Sequence, residues 1–142
     1  MNNHGFTLVE IIIVLGILFL MAGFGLFMSM DFYRSYAFRY EENLAVSLLQ
    51  KARSRAMANV NQTAHGVHFG VSDYTLFEGS TYDAGASTNQ NIPINSGIAT
   101  SGLVNVVFNQ LKGDSTTTGD IIISGQSQTA SISINTEGAI LY

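Results

Sequence analysis

Residues 5–30 read GFTLVEIIIVLGILFLMAGFGLFMSM, an apolar run in which Glu10 is the single charged side chain. From Phe6 to Met30 the run is 25 residues. As a helix it measures about 37 Å at ~1.5 Å per residue, enough to cross a ~30 Å hydrocarbon layer. A cleavable secretory signal fits less well, since it needs a basic start, ~7–15 apolar residues and a small-residue cleavage site. Only the last of these has a counterpart, near Ala22 and Gly23. Glu10 is the informative exception, because a carboxylate inside a bilayer costs on the order of 2.5–3.5 kcal/mol. No other ionisable side chain lies in the run, so a cationic partner must come from a chain terminus or another molecule; the alternative is a Glu10 hydrated at headgroup level.

The charge balance fits a chain that is not a freely soluble globule. Hydrophobic residues make up 46% and charged residues 11%, against roughly 25% charged in an ordinary soluble domain. The formal net charge is −4, so there is no basic excess of the kind that binds nucleic acid. Beyond residue 60, Lys112 alone opposes Asp73, Glu78, Asp83, Asp114, Asp120 and Glu137. The absence of cysteine excludes a disulfide framework, a thiolate metal site and a cysteine nucleophile.

From residue 31 to about 60 no Pro or Gly interrupts a helix, and strong helix formers are frequent after Tyr40. The first helix is therefore expected to continue into water as an amphipathic segment. Phe32, Tyr36, Tyr40, Leu44, Leu48 and Ala52 recur every four residues, beside Tyr33, Ala37, Ala45, Leu49 and Ala56, which makes an apolar stripe that wants a sheet to cover it. The aromatic cluster Phe32, Tyr33, Tyr36, Phe38 and Tyr40 reads either as an interfacial belt or as packing between neighbouring subunits. Lys51, Arg53 and Arg55 sit near the helix end, where cations complement the C-terminal dipole. Arg53 and Arg55 point about 200° apart, so they form no single basic patch.

Gly5-Phe6-Thr7-Leu8-Val9-Glu10, followed at once by an apolar run, resembles the processing site of type IV pilins and of the pseudopilins of type II secretion. The resemblance implies that a prepilin peptidase cuts after Gly5 and methylates the new N-terminal amine of Phe6. It implies a leader of residues 1–5, an inner-membrane anchor of residues 6–30, and Glu10 as the residue that docks onto a neighbouring subunit's amine. Buried charges of opposite sign then relieve one another. The leader departs from the family's usual basic leader, with only His4 able to carry charge. Arg34 and Arg39 follow the span, so the charge-bias rule taken alone places the C-terminal part in the cytoplasm, whereas the resemblance places it in the periplasm or outside the cell. Gly16, Gly23 and Gly25 lie within the span, where small residues let helices approach closely.

Residues 61–142 shift to Ser, Thr, Asn, Gly and β-branched residues in short alternating runs, which reads as a small antiparallel sheet. Val67 and Phe69 with Tyr74 and Leu76 fit a first hairpin; Val104, Val106 and Phe108 fit a third strand; Ile121 and Ile123 with Ile132 and Ile134 fit two more. Asn135-Thr136-Glu137-Gly138 is a turn with Gly placed for positive φ, and a short strand returns over 139–142. Residues 79–102, holding the one proline, Pro93, read as a long polar loop, a kind that is usually functional or mobile. The fold expected is α+β, a long N-terminal helix packed on a small antiparallel sheet domain, as in pilins. Ala52-Arg53-Ser54-Arg55-Ala56, Val106-Val107-Phe108 running to Gly113, and Ile132-Ser133-Ile134-Asn135 with Gly138 and Ile140 resemble more narrowly the H pseudopilin of type II secretion and the FimT-type minor pilins. The DNA-binding members of that group carry basic residues near the C-terminus, whereas nothing basic follows Lys112 here; no nucleic-acid partner is expected.

No enzyme is legible. His65 and His68 are three apart and on a strand face opposite sides, with no third ligand nearby, so neither a metal nor another cofactor is expected. The serines lack a nucleophile-elbow pattern, and Asn61-Gln62-Thr63 is a chance match to a glycosylation sequon. The expectation is a structural subunit whose partners are other pilin or pseudopilin subunits, prepilin peptidase and the inner membrane, with residues 79–102 making contacts specific to its complex. The rival class is a signal-anchored binding module, periplasmic or at the surface, that does not polymerise.

Overall fold

A computed structural model describes residues 5–125 and 128–142, and within residues 25–31 the backbone alone. The chain forms two compact units, one ending at Tyr36 and one comprising Ala37–Tyr142. Helix α1, Leu8–Met57, runs through both. In the first unit every described side chain from Leu8 to Phe24 is exposed. A helix that is apolar on all sides has no inner face of its own to bury.

The second unit is an α-helix packed on antiparallel sheets. Eight strands follow α1: β1 (His65–Phe69), β2 (Asp73–Glu78), β3 (Gln90–Pro93), β4 (Ile98–Gly102), β5 (Asn105–Phe108), β6 (Gly119–Gly125), β7 (Gln128–Ile134) and β8 (Ile140–Leu141). They make two four-stranded sheets instead of the one expected, in the orders β3-β2-β1-β5 and β4-β6-β7-β8. The sheets are interleaved in sequence, since β4 belongs to the second and β5 returns to the first. Residues 79–102 are correspondingly not one loop. β3 pairs with β2 from Asp73↔Pro93 to Leu76↔Gln90, and β4 pairs with β6 from Ile98↔Gly125 to Gly102↔Ile121. Both strands lie at sheet edges, where short polar runs suffice and a proline is tolerated, so they carry little of the alternation by which strands are read.

One core joins α1 to both sheets. Ala45, Leu48, Leu49, Ala52 and Ala56 meet Val67, Phe69, Leu76, Val106 and Phe108 of the first sheet and Ile121, Ile123, Ile132 and Ile134 of the second. Each large aliphatic side chain buried this way contributes roughly 1.5–3 kcal/mol. The helix face differs from the every-four stripe: Tyr40 is exposed, Leu44 is half-buried, and the buried line runs Phe38, Glu41, Ala45, Leu48, Leu49, Ala52, Ala56. Steps of four overshoot a 3.6-residue turn by about 40° each, so a strict series drifts off the face, whereas mixed steps of three and four stay on it. Phe38 thus leaves the aromatic cluster for the core, while Phe32, Tyr33 and Tyr36 are exposed.

The helix end is fastened to distant turns. Asn59 takes the left-handed conformation that ends a helix, φ 54°, and Leu111 N–H donates to Ala56 O at 2.9 Å. Arg53 donates from Nε to Gly113 O and from Nη2 to Glu137 O, each at 3.1 Å. Gly138, expected at the turn, has φ 71°; a Cβ there would also run into the Gly113 carbonyl and Arg53 Nε.

Candidate processing and assembly site

The site begins where α1 begins. Gly5, Phe6 and Thr7 precede the helix in non-helical conformation, and Phe6 is 80% exposed. Thr7 is the N-cap: its carbonyl accepts from Ile11 N–H at 3.2 Å, and its Oγ1 accepts from Glu10 N–H at 3.3 Å. A hydroxyl at this position satisfies an amide that helix geometry leaves without a partner. Glu10 is exposed within the first turn, where a carboxylate is also favoured by the positive end of the helix dipole. The Gly5–Phe6 bond therefore lies outside the helix and is accessible, just ahead of the first helical turn. Among the described residues no atom beyond its chain neighbours lies within 4 Å of where a Gly5 side chain would begin, so their packing does not require glycine there. The signal for this cap in the sequence is Thr7-x-x-Glu10, the capping-box spacing.

Gly5, Phe6 and Glu10 thus lie together at one helix start, with Gly5 and Phe6 just outside it and Glu10 inside. Residues 1–4 of the leader, His4 among them, lie outside the described residues. Beyond Glu10 the surface is an apolar helix with a shallow recess beside Gly23, lined by Phe19, Leu20 and Phe24. Gly25 falls among residues whose side chains are not described.

The other polar residues singled out serve the second unit. Buried His65 donates from Nε2 to Val60 O at 3.0 Å. On the opposite face His68 meets Asn105 Oδ1 at 2.7 Å and stacks on Tyr82, centroids 3.9 Å apart and planes 5° apart. Among the described residues no group of three or more His, Cys, Asp or Glu could hold a metal ion. Asn61, of the sequon, donates to both carboxylate oxygens of Glu78 at 2.9 and 3.0 Å. Lys51 Nζ donates to Gln90 Oε1 at 3.3 Å.

Residues 1–26 match the family model of the prokaryotic N-terminal methylation motif. This match spans the Gly5–Phe6 bond, the Thr7 cap and Glu10, and it supports a type IV pilin-like chain. No curated protein and no solved structure matches the chain, so the narrower likeness to the H pseudopilin and FimT-type proteins has no support beyond the residues quoted for it. Among the described residues no helix is long and apolar enough to cross a membrane. Within the apolar run at the start of α1 the described side chains reach from Leu8 to Phe24, about 25 Å at ~1.5 Å per residue and short of a ~30 Å core.

Proposed function

We propose that the chain is a prepilin: a minor pilin or pseudopilin that prepilin peptidase cuts between Gly5 and Phe6, that is methylated on the Phe6 amine, and that assembles through its N-terminal helix into a type IV pilus or type II secretion pseudopilus. The observation that carries this reading is the methylation motif over residues 1–26, opening a helix whose described side chains from Leu8 to Phe24 are all exposed. Before assembly the apolar segment 6–30 holds the protein in the inner membrane as a single-pass anchor, with the sheet-bearing unit in the periplasm. On assembly the same segment exchanges lipid for neighbouring helices.

Glu10 then supplies specificity. In the filament core its carboxylate meets the new amine of an adjacent subunit, so each charge loses its isolation when the other arrives. Sequence features quoted above favour a minor subunit of the H pseudopilin or FimT type over a shaft protein, and the acidic second unit speaks against DNA uptake.

The intact mass of the protein purified from membranes tests this reading. Loss of Met1 to Gly5 together with one added methyl on Phe6 is expected. A chain that keeps its N-terminus, in cells where the peptidase processes a known prepilin, refutes it and leaves the signal-anchored module as the reading.

A further inference from the structure

Met57, the last residue of α1, is the one methionine of the second unit; the other four precede Ala37. Its side chain is 44% exposed, and its covered part rests on Gly113. Met57 Cγ and Sδ lie 2.5 and 2.9 Å from where a side chain at Gly113 would begin, with Arg53 Cγ at 3.3 Å from the same point. Arg53 and Met57 are four residues apart and so share one face of the helix. Three hydrogen bonds close around this seat: Arg53 Nε–H to Gly113 O, Leu111 N–H to Ala56 O, and Gly113 N–H to Asn109 O. Leu111 is held at φ 68°, a left-handed conformation that a residue with a Cβ keeps only where its surroundings impose it. The loop 109–113 is thus a clasp on the end of α1, and the Met57 thioether is part of what keeps it shut.

We propose that Met57 is an oxidation site whose sulfoxide releases the 109–113 loop from the end of α1, and that reduction of the sulfoxide closes the loop again. A thioether this open is within reach of a peroxide. The sulfur gives an electron pair to one peroxide oxygen, the O–O bond breaks, an S–O bond forms, and the second oxygen leaves as water. The product is bulkier, and it exchanges an apolar sulfur for a strong hydrogen-bond acceptor. The seat offers that acceptor nothing: Gly113 has no side chain, Arg53 brings its methylene stem, and the N–H groups of Leu111, Gly113 and Arg53 Nε already donate elsewhere. The sulfoxide oxygen therefore turns to water and draws the side chain off Gly113. With that contact gone, the strained Leu111 relaxes and the clasp opens locally. A thiol-dependent sulfoxide reductase reverses the change by taking the oxygen away as water while two thiols become a disulfide. The inference is independent of processing at Gly5.

The test uses the full chain in detergent micelles, treated with hydrogen peroxide at a level that fully oxidises a free methionine peptide. One added oxygen on Met57 is expected from peptide mass spectrometry. Amide exchange at Leu111 and Gly113 is expected to quicken at least tenfold, with exchange in β6 and β7 unchanged, as local opening requires. Methionine sulfoxide reductase with dithiothreitol is expected to restore the original rates. Met57→Leu keeps an apolar side chain of similar volume without sulfur, and in it peroxide is expected to leave exchange at Leu111 and Gly113 unaltered. Should Met57→Leu fail to fold, the reductase reversal on the unaltered chain decides. An unmodified Met57 in the treated chain, an oxidised Met57 with unchanged exchange at Leu111 and Gly113, an equal response in folded Met57→Leu, acceleration of the same size in β6 and β7, or rates that the reductase does not restore would each overturn the proposal.

Discussion

The Tyr74 hydroxyl and Glu41 Oε2 are both enclosed and, among the described residues, neither has a hydrogen-bond partner. Glu41 Oε1 does have one, Asn95 N–H at 2.8 Å. Burial first, and then the nearby Glu41 charge, pushes the Tyr74 phenol well above its ordinary value. A phenol that ionises later in the folded than in the unfolded chain contributes stability that is intact below the unfolded value near ~10 and is lost as pH rises through it toward the folded value. The urea midpoint of the chain in micelles is therefore expected to fall above about pH 10, and Tyr74→Phe is expected to flatten that fall. An identical alkaline slope in the variant would show that the phenol is not the cause. For Glu41, substitution by Gln keeps an acceptor for Asn95 and removes an enclosed charge, so a gain of about 1 kcal/mol is expected from equilibrium unfolding; Glu41→Ala leaves the Asn95 amide unsatisfied and should cost about 2 kcal/mol. The inward placement of Tyr74 was legible from its alternation with Leu76. The burial of Glu41 was not, because its partner lies 54 residues away and a periodic reading of apolar residues passes over an acid.

At the scale of elements, the helix end is held by Arg53 at two turns that the sequence places 60 and 84 residues away. One guanidinium spans both carbonyls in a fixed fork, which an ammonium cannot reproduce. Arg53→Lys and Arg53→Ala are both expected to lose about 1–2 kcal/mol of stability in denaturant titration; full retention by the lysine variant would mean that charge alone suffices. Arg53 reads from sequence as one cation in a solvated helix end, since nothing local reveals a carbonyl brought in from a distant turn. Segment 79–89, the longer of the two parts of the expected loop that stay free of strands, packs Tyr82 against the first sheet. Tyr82 stacks on His68 and stands edge-on to Phe77, centroids 5.4 Å apart, and Phe77 is buried apart from the main core. Tyr82→Ala is expected to speed proteolysis within 79–89 at least tenfold while leaving exchange in β6 and β7 unaltered. The strong strands were legible because Val67, Phe69, Ile121, Ile123, Ile132 and Ile134 alternate cleanly; β3 and β4 were not, because their burial is slight and a polar edge strand resembles a loop.

For the whole molecule, the proposed role and the fold of the second unit are separable. Glu10 lies in the first unit and is exposed, so Glu10→Ala is expected to leave the thermal unfolding of the second unit unchanged while abolishing incorporation into filaments, measured by shearing and immunoblotting. Normal incorporation would remove the docking role; loss of folding would remove the separation of roles. The motif that suggests this role was plain in the sequence because it is contiguous, six residues ahead of an apolar run. By contrast the division of strands between two sheets depends on pairings that no contiguous stretch contains.

The alternation of β3, β4, β5 and β6 between the two sheets has one more consequence. Neither sheet corresponds to a severable length of polypeptide: a cut between Pro93 and Asn105 separates β3 from β5, both of the first sheet, and a cut between Gly102 and Gly119 separates β4 from β6, both of the second. Halves made at either place would each carry unmatched strands and half a core. The second unit is therefore expected to melt as one body, and a protease or an inserted tag is expected to be best tolerated in 83–89, between β2 and β3 of one sheet.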